Sequence, residues 1–128
     1  MNRLHTLVSK MNGYGLPNML HQFVLSTMFK TKVKFAGTTG IHIRSLTGKE
    51  AHVTLKNSWR IQNHIGGIHA CAVSVLAEST SGMLLGLHVP DTHLPLLKKM
   101  SISYKTRIQG NLTAIATLTN DQVNIRYN

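Results

Sequence analysis

The sequence predicts an α+β fold in which an antiparallel sheet packs around one apolar helix. Three observations lead to this prediction. Apolar residues recur at helical spacing near the N-terminus, they alternate with polar residues in the middle of the chain, and residues 70–87 are apolar on nearly every side. Helices, a hairpin, a buried helix and further strands, in that order, are typical of α+β proteins.

The N-terminal region is predicted to form two helices. The apolar residues of the first are Leu4, Leu7, Val8 and Met11. Gly13 and Gly15 end that pattern, and Pro17 begins a second helix because its fixed φ angle suits a first helical turn. The predicted apolar face of the second helix comprises Leu20, Phe23, Val24 and either Thr27 or Met28.

Period-two alternation then predicts strands. Two short strands, around Ile43 and Val53, flank the turn Thr47-Gly48-Lys49 and form a hairpin. Beyond the apolar helix, a long strand is predicted with one face made of Met100, Ile102, Tyr104 and Ile108. After a turn at Gly110-Asn111 a further strand contains Leu112, Ala114, Ala116 and Leu118, and a last one begins with Val123, Ile125 and Tyr127.

With 128 residues the chain is long enough for one domain with a core and too short for two. We expect a single domain over 1–128, with an N-terminal helical segment at 1–36 and the sheet and its helix at 37–128. Because the last predicted strand starts at the end of the sequence, we expect the sheet to lack its final strands and to leave one edge open or covered by a partner.

Composition narrows the class of partner. Lysine and arginine number 14 against 4 acidic residues, so the net charge of +10 favours anionic partners. Cys71 is the single cysteine, which favours a reducing compartment, the cytoplasm or an organelle matrix. No apolar run is long enough to predict a membrane span. The histidine spacings fit no metal motif, so neither a metal nor a cofactor is expected.

Residues 63–71, together with Glu78, are the residues best suited to catalysis. Asn63-His64-Ile65-Gly66-Gly67-Ile68-His69-Ala70-Cys71 leads directly into the apolar helix, whose start offers unpaired N–H groups for a developing negative charge. Glu78 follows in that helix and is the only acid between Glu50 and Asp91. A carboxylate there can activate water or attack a carbonyl group directly. Together these groups suit hydrolysis of a thioester.

The same stretch resembles the signature of hotdog-fold acyl-CoA thioesterases of the phenylacetyl-CoA thioesterase type. It is similar to their uncharacterised thioesterase-like branch, in which the motif reads Asn-His-x-Gly-x-x-His-Ala, and the resemblance extends from Gly40 to Leu118. It implies a hotdog fold, acyl-CoA hydrolysis and a homodimer or homotetramer. Carried onto this chain, it implies catalytic roles for Glu78, Asn63 and His69, and substrate contacts from Gly66, Gly67, Ala70 and Cys71.

Helix geometry points to a shared site. His69 and Glu78 are nine residues apart, which on a continuous helix is roughly 13 to 14 Å and about half a turn out of phase. One chain therefore does not bring both to one thioester, whereas two copies with antiparallel central helices do. This chain departs from the commoner family pattern at Ala70 and Cys71, which stand where two glycines are usual.

Other readings remain open. A hotdog domain without a working oxyanion hole binds acyl-CoA or acyl carrier protein without turnover, and Ala70 and Cys71 favour this reading. A hydroxyacyl-thioester dehydratase would use His64 and Glu78, and a third reading makes Cys71 a nucleophile. Nucleic acid is not expected as a partner, since no aromatic residues interleave with a basic stripe. The residues proposed to meet the phosphates of coenzyme A are Lys98, Lys99, Lys105 and Arg107.

Overall fold

The computed structural model describes residues 2–15 and 17–123, which form helices around a three-stranded sheet. The helices are α1 (Arg3–Gly13), α2 (Asn18–Lys32), α3 (Lys34–Thr39), α4 (Ala70–Gly86) and the short α5 (Asn120–Val123). The strands are β1 (His42–Leu46), β2 (Glu50–Leu55) and β3 (Leu112–Thr117), and a 3-10 turn spans Trp59–Ile61. The predicted α+β class, an antiparallel sheet packed on an apolar helix, is confirmed.

The sheet has the order β1-β2-β3, and both pairs of strands are antiparallel. The predicted hairpin is confirmed, with Ile43 opposite Val53, and an irregularity follows at Arg44. Along β2, buried residues alternate with partly exposed ones, as expected for a sheet with one covered face. Within the described residues the second edge of β3 pairs with no strand.

Helix α4 covers that face and forms the core with β2 and β3. On the helix, Ala72, Leu76 and Leu84 are buried, and Val53 and Leu55 are buried in β2. Full burial of each large aliphatic side chain contributes about 1.5 to 3 kcal/mol. The predicted core helix is confirmed, although its opposite side is exposed. No helix in the described part of the chain has both the length and the apolarity that a bilayer span requires.

Helix α1 is confirmed and is tied to the end of α4. The Asn2 side chain caps α1 by accepting the His5 N–H at 2.7 Å. Its amide group also donates to the carbonyl oxygens of Gly86, at 2.6 Å, and of Val89. Because one side chain satisfies both helix ends, α1 is held against the core without a large apolar face.

Helix α2 exists as predicted, but its predicted apolar face is wrong. Phe23 is 65% exposed and Leu20 is 47% exposed, whereas Leu25 and Ser26 are buried. Ser26 is buried because its hydroxyl accepts the Ile43 N–H of β1 at 2.8 Å. The spacing of apolar residues alone does not predict that a serine is buried.

The long strand predicted over 100–108 is also wrong, since these residues form no ladder with another strand. Met100 and Tyr104 are exposed, while Ile102 and Ile108 are partly buried. A strand needs a neighbour for its backbone groups, and the described residues place none beside this segment. Val123, predicted to begin a strand, ends α5 instead. Ile125 and Tyr127 lie outside the described residues.

His42 joins α2 to the sheet. Its Nδ1 lies 3.3 Å from the Ser26 hydroxyl and its Nε2 lies 3.1 Å from the Gln22 side-chain oxygen. Because Ser26 accepts the Ile43 N–H, its own O–H is free to donate to Nδ1, and Nε2–H donates to Gln22. This network fits neutral imidazole. Burial, followed by the charges of Arg44 and Lys30, lowers the pKa of His42 below its usual 6.5.

We therefore expect acid to destabilise the junction of α2 with β1. The unfolded chain takes up a proton on His42 at a higher pH than the native protein does, so the free energy of unfolding falls as the pH drops below about 6.5. Urea titrations at pH 7.5 and 5.5 should show a smaller loss for His42→Gln than for the parent. Equal losses in the two proteins would contradict this assignment.

Candidate functional site

The loop before α4 is built around the side chain of Asn63. Its oxygen accepts the backbone N–H groups of Ile65 and Gly67, at 3.1 and 3.0 Å. The Asn63 N–H donates to the Gly67 carbonyl at 2.8 Å, which closes the turn. Gly66 adopts a φ of 76° in this turn, a conformation that glycine adopts without strain. Within the described residues the Asn63 NH₂ group donates no hydrogen bond and remains available to a ligand.

Backbone hydrogen bonds hold this loop against the start of α4. The His69 N–H donates to the Ile61 carbonyl at 2.7 Å, and Gln62 pairs with Ile68 in an isolated bridge. Asn57 adds a bond from its side chain to the Gly66 carbonyl at 3.0 Å. The loop and the first turn of the helix therefore form one rigid unit.

His69 caps α4 with its own ring. Nδ1 accepts the Cys71 N–H at 3.1 Å, so in the neutral ring the proton is on Nε2. The Ala72 and Val73 N–H groups donate to the His69 carbonyl. The Ala70 N–H is left without an acceptor among the described residues. Ala70 is an exposed residue, so this backbone donor at the positive end of the helix dipole is a candidate partner for an anion.

The segment 100–110 contacts the same end of α4. The Tyr104 hydroxyl lies 2.9 Å from both the Ala70 carbonyl oxygen and the Ser74 hydroxyl. Next to it, the Ile108 carbonyl approaches so closely that a Cβ atom on Gly67 would lie 2.9 Å from it. Tyr104 is not among the site residues predicted from the sequence. No local signal could have found it, because the contact joins residues 34 positions apart.

Glu78 lies elsewhere on α4, at the wall of an open groove of about 810 Å³. The groove runs between the end of α2, the exposed side of α4 and residues 95–102. Glu78 is partly exposed, and its carboxylate would lie 3.8 Å from a Cβ atom on Gly82. The apolar residues that line the groove include Phe29, Val33, Met83, Leu85, Leu96, Leu97 and Met100.

The structure thus divides the predicted site residues into two groups. Residues 63–71 lie together at the N-terminus of α4, with Glu78 apart from them. Ala70 and Glu78 are separated by about 12 Å along the helix axis and by roughly 80° around it. Of the predicted phosphate ligands, Lys98 and Lys99 line the groove, whereas Arg107 donates to the Ile65 carbonyl at the loop, at a long 3.5 Å. Among the described residues no three His, Cys, Asp or Glu side chains cluster closely enough to hold a metal ion.

The fold was compared with solved structures. A Pseudomonas aeruginosa protein of unknown function, PA5026, described as a probable thioesterase, superposes with a TM-score of 0.69 and 22% identity over 84% of this chain and 70% of that one. The genomics target APC5556 superposes with a TM-score of 0.68 and 22% identity, over 89% of this chain and 74% of that one. None of the curated proteins is significantly similar in sequence.

These likenesses establish the fold. A small antiparallel sheet against an apolar central helix is the hotdog fold, as the sequence predicted. A family model matches residues 22–128, most of the chain. The protein therefore belongs to the family described as a domain of unknown function, DUF4442.

The close approach at Gly67 is directly testable. In Gly67→Ala the added methyl group would clash with the Ile108 carbonyl, a backbone atom that cannot rotate away. We expect a loss of about 1 to 3 kcal/mol in the free energy of unfolding, because segment 100–110 must shift. Gly13→Ala is the matched control, since nothing lies within 4 Å of its Cβ position, and it should change stability by less than about 0.5 kcal/mol. Equal denaturation midpoints for both variants would refute the clash.

Proposed function

We propose that this protein is an acyl-CoA thioesterase. The observation that carries the proposal is the exposed Ala70 N–H at the start of α4, held by a rigid loop. It is supported by Glu78, the one carboxylate of that helix, at the wall of an apolar groove. The fold and a structural neighbour described as a probable thioesterase support the same class of reaction. We expect the protein to act in the cytoplasm.

In the proposed reaction a water molecule attacks the thioester carbon and Glu78 takes a proton from that water. The carbonyl oxygen becomes an oxyanion, to which the Ala70 N–H donates. The C–S bond then breaks, and the coenzyme A thiolate takes the proton, leaving a carboxylic acid. Alternatively Glu78 attacks the carbonyl carbon first, and a mixed anhydride forms as the C–S bond breaks and the coenzyme A thiolate leaves. Water then hydrolyses the anhydride to the carboxylic acid, which regenerates the Glu78 carboxylate, and the remaining proton of the water passes to the thiolate. The Asn63 NH₂ group is a second candidate donor to the oxyanion.

The separation of Ala70 from Glu78 supports a site shared by two chains. About 12 Å of helix lies between them, which is too far for both to reach one carbonyl group. Two α4 helices packed antiparallel would bring the Ala70 of one copy towards the Glu78 of the other. We therefore propose a homodimer, or a tetramer built from such dimers, as the active form.

A second candidate function is binding of acyl-CoA or acyl carrier protein without turnover. The Cys71 N–H favours binding without turnover, because this N–H already donates to the His69 ring. Of the N–H groups of Ala70 and Cys71, only that of Ala70 lacks an acceptor among the described residues. An oxyanion hole commonly uses more than one donor. Incubation of the purified protein with acyl-CoA separates the two functions, because a binder protects the thioester and releases no free thiol.

Glu78→Gln tests the proposed role of the Glu78 carboxylate as general base or nucleophile. The amide keeps the shape of the side chain and cannot accept the proton, so kcat should fall about 10²-fold or more while acyl-CoA binding persists. Release of free coenzyme A over short, aromatic and long acyl chains is the measurement. The matched control is Glu50→Gln, an exposed acid on β2, which should hydrolyse at the parent rate. Parent turnover by Glu78→Gln would make Glu78 a structural residue and overturn the proposal.

Ala70→Pro tests the oxyanion donor. His69 has φ −62° and ψ 141°, which suits a residue before proline, and Ala70 is the first helical residue. The variant should fold with the parent melting temperature and lose about 10²-fold or more in kcat, because the N–H is gone.

Mixing Ala70→Pro with Glu78→Gln tests the shared site. Random exchange makes half of the dimers mixed, each with one intact site, so up to about a quarter of the parent activity should return. Hydrolysis that stays at the level of the separate variants, after subunit exchange is verified, would rule out a site made from two chains.

A further inference from the structure

Trp59 is the lone tryptophan of the chain and is 87% exposed. It lies on the 3-10 turn Trp59–Ile61, and its sequence neighbours Lys56 and Arg60 are also exposed. Indole rings are among the least suited to full exposure, because burying one removes a large apolar area from water. The proposed catalytic chemistry does not use this ring, so its exposed surface is available to a ligand.

The position of Trp59 connects it to the candidate site. Ile61, two residues further on, accepts the His69 N–H, and His69 precedes Ala70. The backbone path from Trp59 to Ala70 therefore spans at most about 16 Å. Arg107 contacts the same loop through the Ile65 carbonyl. From residue 51 to residue 77 the sequence contains no acid to neutralise these cations.

We propose that Trp59 stacks on the adenine ring of coenzyme A, with Lys56 and Arg60 binding its 3′-phosphate and diphosphate. Planar aromatic side chains bind nucleobases face to face, and the arginine fork suits phosphate oxygens. The identity of the nucleotide as coenzyme A rests on the proposed function. A second copy of the chain fits this surface poorly, because a symmetric contact would bring two sets of Lys56 and Arg60 together.

Because Trp59 is the lone tryptophan, fluorescence excited at a wavelength that tyrosine does not absorb reports on this position alone. Coenzyme A and adenosine 3′,5′-bisphosphate should both quench it saturably, and pantetheine, which lacks the nucleotide, should not.

In calorimetry Trp59→Leu should weaken coenzyme A binding about 5- to 100-fold. Lys56→Gln with Arg60→Gln should reduce the salt dependence of binding. The matched controls are Tyr14→Leu and Lys49→Gln, an exposed aromatic residue and an exposed lysine elsewhere, which should bind as the parent does.

Kinetics separate this inference from the proposed function. Trp59→Leu should raise KM for acyl-CoA with little change in kcat, and it should leave hydrolysis of acyl-pantetheine unchanged. If the protein hydrolyses acyl-CoA but Trp59→Leu binds coenzyme A with parent affinity, the proposed stacking of Trp59 on adenine is wrong, whereas the proposed thioesterase function is supported. If adenosine bisphosphate quenches Trp59 but no thioester is hydrolysed, the nucleotide site stands and catalysis is wrong. Stronger quenching by a single-stranded oligonucleotide than by coenzyme A would overturn the assignment in favour of nucleic acid.

Discussion

The arrangement of the candidate site depends on the hydrogen bonds that hold the first turn of α4 to the loop before it. The His69 N–H bonds to the Ile61 carbonyl, and Asn63 closes the turn that ends at Gly67. These bonds use the Asn63 side-chain oxygen and backbone groups of Ile61, Asn63 and Gly67, whereas the Ala70 N–H has no acceptor among the described residues. If the loop were free to move, that donor would be an ordinary helix end in water. The rigidity of residues 57–69 is therefore what turns a helix terminus into a candidate binding site.

The same helix serves the core, and this limits what one chain can do. Leu76 and Leu84 are buried on the side of α4 that covers the sheet, so the helix cannot rotate without opening the core. Ala70 and Glu78 are then fixed on different turns and at different angles around the axis. The distance between donor and carboxylate is thus a consequence of core packing, and it is the physical basis for placing the proposed reaction between two copies.

Charge is distributed unevenly along the chain. No acidic residue precedes Glu50, and the loop that carries Trp59 and Arg60 also lacks one. The cations near the site are therefore not paired with carboxylates of the same loop, which leaves them available to an anionic ligand. Glu78, in contrast, stands as the single acid of a long apolar helix. In the proposed function, the carboxylate and the basic loop would contact different parts of acyl-CoA, the acyl group and its anionic carrier.

The sequence alone determined helices α1 and α2, the β1–β2 hairpin, the apolar helix α4, the strand β3 and the glycine-containing loop before α4. Local periodicity and glycine spacing carry that information, because backbone conformation and burial follow them directly. Tertiary structure decided which face of α2 is buried, because Leu25 packs in the core and Ser26 accepts the Ile43 N–H, whereas Phe23 is exposed. It also decided that residues 100–108 bind α4 through Tyr104 instead of forming a strand. Both outcomes depend on contacts between residues far apart in the chain, and no local pattern encodes the partner of a hydrogen bond.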